Sequence, residues 1–107
     1  MKSLALLICA GTLAAQPFKL EKSIPLPGVE GRFDHMAVDA AAQHLIVAAL
    51  GNNTVEVIDL AGAKKLQSWS GMKEPQGVAY AADLKRIYVA SGKDGKLRIY
   101  DSGTLKP

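Results

Sequence analysis

Arg32-Phe33-Asp34-His35 is the densest group of chemistry-bearing side chains in this sequence. An aspartate beside a histidine can hold the imidazole in one tautomer, as general-base chemistry requires, and a histidine can ligate a metal. Either role needs convergent partners. A metal takes roughly three or four protein ligands, and the chain offers only His35, His44 and scattered carboxylates. The plainer alternative is that His35 hydrogen-bonds to backbone of a neighbouring element. There is no Ser-His-Asp order, no phosphate-binding loop and no dinucleotide glycine pattern. Gly92–Lys96 (GKDGK) reads as a turn between strands, not as a loop opening a helix. No catalytic set, metal site or cofactor is therefore assigned.

The elements that must position these residues come from an internal repeat. Shifted by 42 positions, Phe33–Lys65 lies on Pro75–Pro107 without a gap. Ala37/Ala79, Ala40/Ala82, Val47/Val89, Ala48/Ala90, Asp59/Asp101 and Lys64/Lys106 are identical, and Leu45/Ile87, Val55/Leu97 and Val57/Ile99 keep their class. A period of about 40–45 residues with strand-like content is the mark of β-propeller blades. Met36–Val38 and Val78–Tyr80 read as short inner strands. Leu45–Leu50 and Ile87–Ser91 are nearly continuous apolar runs, as for strands covered on both faces. Thr54–Asp59 and Lys96–Asp101 alternate, as half-buried strands do. Lys64–Trp69 follows as an outer strand, with Leu66 inward and Trp69 either packed on the next blade or exposed. The small pairs Ala37/Ala79 and Ala48/Ala90 predict close sheet-on-sheet contact.

Placed on this frame, Asp34 and His35 precede an inner strand, and their equivalents are Gln76 and Gly77. His44 matches Arg86, as befits a solvated position. Asn52-Asn53 and Lys93-Asp94 fall in hairpin turns flanked by Gly51, Gly92 and Gly95, residue types that tolerate positive φ. Asp59 and Asp101 end equivalent strands, where a carboxylate caps the following turn. Because these hairpin turns and the loops entering the inner strands share one end, Arg32, His35, Asn52, Asn53, Gln76 and Lys93 are the candidate residues of a ligand-facing rim. Loops on a rigid scaffold are where binding usually resides.

The stretches Tyr88–Ser91 (YVAS), Leu97–Asp101 (LRIYD) and Ile46–Asp59 (IVAALGNNTVEVID) resemble the YVTN family of β-propeller repeats. Leu26–Asp39 (LPGVEGRFDHMAVD) with Glu74–Val78 (EPQGV) is similar to secreted bacterial YncE-like proteins. The resemblance spans about Leu26 to Leu105. It implies an all-β chain of about two four-stranded antiparallel blades from a larger propeller, of about seven blades in family members. It implies an exported binding or interaction scaffold whose ligand is an unidentified protein, glycan or small molecule. The alternative by fold analogy is part of a propeller enzyme, either a metal-dependent lactonase-like hydrolase or a dehydrogenase-like subunit.

Length and composition agree. The chain has 107 residues, a formal charge of +3 and 49% hydrophobic residues. The charges are scattered, so the electrostatic footprint of a nucleic-acid binder is weak. Lys2 followed by Leu4–Leu13 and small residues at Thr12 and Ala14 predicts a secretory signal peptide over residues 1–14, hence a periplasmic or extracellular protein with no transmembrane anchor after cleavage. Cys9 falls within it, preceded by Ile8 where a lipidation site wants a small residue, so the mature chain carries no thiol. Residues 15–28 form an arm whose Phe18–Ile24 reads as an outer strand ended by Pro25 and Pro27. The first blade then spans 29–74 and the second, incomplete, 75–107. Two blades expose faces that want cover. The chain is therefore expected to be a fragment of a longer propeller, or a subunit completing a ring by association, three copies giving about six blades.

Overall fold

A computed structural model describes residues 11–12 and 15–107. The signal-peptide assignment, with Cys9, falls almost wholly outside the described residues. Among the described residues seven strands follow one another: β1 (Met36–Asp39), β2 (His44–Ala49), β3 (Thr54–Asp59), β4 (Lys64–Trp69), β5 (Pro75–Ala81), β6 (Arg86–Ser91) and β7 (Lys96–Asp101). They form two antiparallel meanders, a four-stranded sheet β1-β2-β3-β4 and a three-stranded sheet β5-β6-β7. The only helical piece among the described residues is a 3-10 turn, Leu50–Asn52. No helix there is long and apolar enough to cross a membrane. The fold is all-β, as the alternating and β-branched runs predict.

The repeat in sequence is a repeat in hydrogen bonding. His44 opposes Asp59 and Arg86 opposes Asp101; Ile46 opposes Val57 and Tyr88 opposes Ile99; Met36 opposes Val47 and Val78 opposes Val89. Every β6–β7 pair, and every β5–β6 pair from Val78 onward, is the first sheet's pairing displaced by 42 residues; β5 adds Pro75 and Gly77 ahead of these across a bulge. The turns match as well. Gln43 and Lys85 (φ 56° and 51°), Asn53 and Gly95 (56° and 64°), and Ala63 and Leu105 (53° and 58°) occupy the left-handed region at equivalent positions. That conformation costs a non-glycine residue roughly 1–2 kcal/mol, so turn geometry here overrides local preference at Gln43, Ala63 and Lys85. Beyond β7, Asp101 N donates to Lys106 O at 2.7 Å, the bond expected from the pairing of Asp59 with Lys64.

Register assigns the two faces of each sheet. Ala37, Ile46, Ala48, Val55, Val57 and Trp69 share one face of the first sheet, its front. Val78, Tyr80, Ile87, Val89 and Tyr100 share one face of the second, and it corresponds to the back of the first after the shift. Ile46, Val55, Val57 and Trp69 join Ile87, Val89, Tyr100 and Met72 in one buried cluster, with Val78 and Tyr80 packed against it. The sheets thus stack front to back. The indole of Trp69 lies on the ring of Tyr100, centroids 3.8 Å apart and planes 5° from parallel. Such a pair adds about 0.5–1.5 kcal/mol beyond its buried area. Trp69 Nε1 donates to Leu105 O at 3.2 Å, which satisfies the one polar atom of the indole.

Three expectations fail for identifiable reasons. The alternation that places Leu66 inward is broken by a bulge: Val57 opposes Gln67 but Ile58 opposes Lys65, so Leu66 is the extra residue and is exposed. The run Ile87–Ser91 is covered on one face only; Ile87, Val89 and Ser91 are buried while Ala90 is exposed, because none of the described residues covers the front of the second sheet. The outer strand over Phe18–Ile24 does not form. Phe18 and Leu20 stand in solvent, and the arm instead crosses beside the back of the first sheet, where Lys65 Nζ donates to Pro27 O at 3.1 Å. Only three apolar residues in that segment could face a core, too few to hold a strand without a neighbour's ladder.

Ala48 and Ala90 occupy equivalent positions with opposite surroundings, the first wholly buried and the second exposed. Ala48→Leu should destabilise by about 1–3 kcal/mol through overpacking. Ala90→Leu should stay within about 0.5 kcal/mol of the parent. Urea unfolding of both variants at low protein concentration checks this; equal losses would contradict the one-sided burial of the second sheet.

Candidate functional site

The chain folds back on itself at one end of the sheet pair. The turn between β2 and β3 (residues 50–53) and the turn between β6 and β7 (residues 92–95) meet the two segments that lead into β1 and β5. Close backbone approach makes this possible. Gly31, at φ 82°, crosses Gly51 so closely that a Cβ on Gly51 would stand 2.6 Å from Arg32 N. Gly51 N donates to Arg32 O at 3.0 Å, and Gly92 N to Glu74 O at 3.0 Å, again at near-equivalent places.

The two asparagines tie this end together. Asn52 Oδ1 accepts from Glu30 N at 3.2 Å, and its Nδ2 donates to Thr54 Oγ1 at 2.9 Å. Asn53 Oδ1 accepts from Glu74 N at 2.9 Å. One residue therefore clamps the segment entering its own sheet, and the next clamps the segment entering the neighbouring sheet. The carbonyl oxygens of both side chains are spent on backbone N–H groups, so the oxygens hold the scaffold and a ligand meets the surface around them.

Asn53, Lys73, Glu74 and Lys93 line an open cleft of about 270 Å³ between the sheets. Lys93 Nζ lies 3.9 Å from Glu74 Oε1, both well exposed. A pair so solvated holds its partners loosely and contributes about 0–1 kcal/mol, so both groups are available to a bound molecule. Two ammonium groups and one carboxylate suit a ligand carrying anionic or hydroxyl groups.

Of the six rim candidates, Asn53 and Lys93 come together in this cleft. Arg32 is exposed and contributes its carbonyl to the Gly51 bond. Gln76 lies with its amide over Gly92, where a Cβ would meet Oε1 at 2.8 Å. His35 is spent on the junction between sheets. Its backbone N donates to Gln76 O at 3.2 Å, and Nδ1 lies 3.1 Å from the same carbonyl and 2.8 Å from Asp34 Oδ1. Two acceptors beside Nδ1 favour the tautomer with its proton there, on a side chain that is otherwise mostly exposed. Sequence reasoning missed Lys73 and Glu74. The repeat held the signal, since Glu74 is the equivalent of Arg32. Among the described residues no three His, Cys, Asp or Glu gather where one ion could bind them.

Beside the cleft, Asp94 accepts from Lys96 N at 3.1 Å and pairs with Arg98 Nη2 at 3.0 Å, and the Arg98 guanidinium holds its carboxyl below the usual range. Arg98 also donates to Ser91 Oγ and to Gly71 O, which fastens the loop ahead of β5. At the opposite end, Asp101 Oδ1 accepts from Thr104 N at 2.8 Å and Gly103 N at 2.9 Å, the capped turn its position predicts. Those N–H groups, with Thr104 Oγ1 and Arg86, depress its carboxyl too. No protein-family model matches the chain, and no curated protein matches it significantly.

The depressed carboxyls set a direction for pH dependence. Each of Asp94 and Asp101 binds its proton more weakly folded than unfolded, so its stabilisation is present above about pH 4 and lost as pH falls through the lower folded value. Asp101→Asn keeps an acceptor oxygen for the turn but has no charge to lose. Its stability should fall less steeply than the parent's between about pH 5 and pH 2, read as urea midpoints. A slope equal to the parent's would show that Asp101 contributes nothing to acid sensitivity.

Proposed function

We propose that the chain is two neighbouring blades of a β-propeller of the YVTN, YncE-like kind. In this reading it is exported, and it acts as a rigid scaffold that binds a protein, glycan or small ligand along one rim. The observation that carries the reading is front-to-back stacking between sheets whose pairing registers repeat at 42 residues. A sandwich of two such repeats related by a two-fold axis would bring equivalent faces together, front on front. A propeller repeats one operation, so each blade lays its front on the back of the next around an axis. The stacking described above follows the second rule.

The rim reading is supported by how that end is built. Asn52, Asn53, Gly31 and Gly51 lock the loop backbones, while Lys73, Glu74 and Lys93 project around an open cleft. Rigid backbone with exposed charged side chains limits the ordering cost of binding. Arg32, on the equivalent loop of the first repeat, extends the same edge.

A thermal-shift screen of oligosaccharides, acidic peptides and nucleotides against the purified chain tests the proposal. A ligand so found should bind at least about tenfold more weakly, a loss of about 1.4 kcal/mol, to Lys93→Ala or Arg32→Ala. Unchanged affinity in both variants would remove the rim as the binding surface.

A further inference from the structure

The repeat specifies what each exposed apolar residue is shaped to touch. On the front of the first sheet, Ile46, Ala48, Val55 and Val57 are wholly buried by the back of the second sheet. Their equivalents on the front of the second sheet are Tyr88, Ala90, Leu97 and Ile99. Leu97 is 63% exposed and Ile99 48%. Ala90 is exposed and Tyr88 only half-buried. On the back of the second sheet, Val78 and Tyr80 of β5 pack against the shared core, with β5 lying along β1 and β2. Their equivalents on the back of the first sheet are Met36 and Val38 of β1, which are 54% and 53% exposed. The arm beside Lys65 leaves this inner strand open.

The chain therefore displays both halves of an interface that it already forms once within itself. We infer that the front of the second sheet docks a second copy of this chain through the back of that copy's first sheet. Met36 and Val38 of the second copy lie against Ala79, Tyr88 and Ala90, with Leu97 and Ile99 extending the contact outward. The occupant is a second copy because its β1 carries the same alternating apolar pair, in the same register to β2, that β5 uses on β6. The contact is heterologous: the two surfaces differ, so each bound copy presents a further free face, and assembly proceeds head to tail. It depends on the sheet packing and not on the rim, so loss of one leaves the other standing.

Paired variants test this through sedimentation velocity at about 100 μM, which populates any contact of about 10 μM affinity or tighter. The parent should sediment as a species larger than one chain. Ile99→Glu blocks the front and Val38→Glu blocks the back, and each alone should run as a monomer. Mixed in equal amounts, they should form a one-to-one dimer and nothing larger, because one open front meets one open back. Far-UV circular dichroism and the emission of the buried Trp69 establish that both variants are folded. A parent that stays monomeric overturns the inference, as does an assembly that Ile99→Glu dissolves and Val38→Glu leaves intact, since that pattern belongs to a front-to-front dimer.

Discussion

The contact on which everything else depends is the seating of the first sheet's front on the second sheet's back. A single meander of this size leaves its apolar face open and cannot bury it alone, so the seam supplies the burial that offsets the ordering entropy of both sheets. Ile46, Val55 and Val57 supply one side of the seam and Ile87 and Val89 the other, with Trp69 stacked on Tyr100 at its outer end. Cross-sheet burial in turn sets the register of every strand that contributes to it, since a slip by one residue would send these side chains to the opposite face. The bulge at Leu66 makes the same point from the other direction. It resets the phase of β4 so that Trp69 reaches the seam while Lys65 turns to the back face, near Glu56.

From that seam the candidate site follows as a consequence of geometry. Stacking equivalent sheets brings equivalent turns to one end, and the chain must cross that end each time it enters a sheet. The crossing requires glycine at Gly31 and Gly51, and it requires acceptors for the N–H groups of the incoming segments, which Asn52 and Asn53 provide. Residues of the types that suggested binding in the sequence thus turn out to carry the scaffold. The charged groups that face outward, Lys73, Glu74 and Lys93, are left to meet a ligand.

Strand positions were legible because hydrophobic alternation and a shared period state the same thing twice: Thr54–Asp59, Lys64–Trp69 and Lys96–Asp101 are strands where the pattern puts them. The capped turn at Asp101 was legible from a carboxylate at a strand end, but the same position predicts a cap at Asp59, and there no turn N–H among the described residues meets the carboxylate: the residues after each strand differ, Leu60–Gly62 against Ser102–Thr104. The rest was hidden for physical reasons. A bulge adds no residue type of its own, so nothing around Leu66 announces it. The left-handed residues Gln43, Ala63 and Lys85 are chosen by the hairpins and not by their own preference. Whether Ala48 or Ala90 is buried depends on what lies across from each, and identical residues cannot report that difference. The roles of Asn52 and Asn53 depend on segments more than twenty residues away, the first brought close by the folding of its own sheet and the second only by the stacking of the two sheets.

Methyl and aromatic NOEs across the seam test front-to-back stacking most directly. Front-to-back stacking predicts cross-peaks linking Ile46 and Val57 to Ile87 and Val89, together with contacts between the Trp69 and Tyr100 rings. Cross-peaks from Ile46 and Val57 to Tyr88 and Ile99 would mean that the sheets meet front to front as a sandwich, and the propeller reading would fall with the seam.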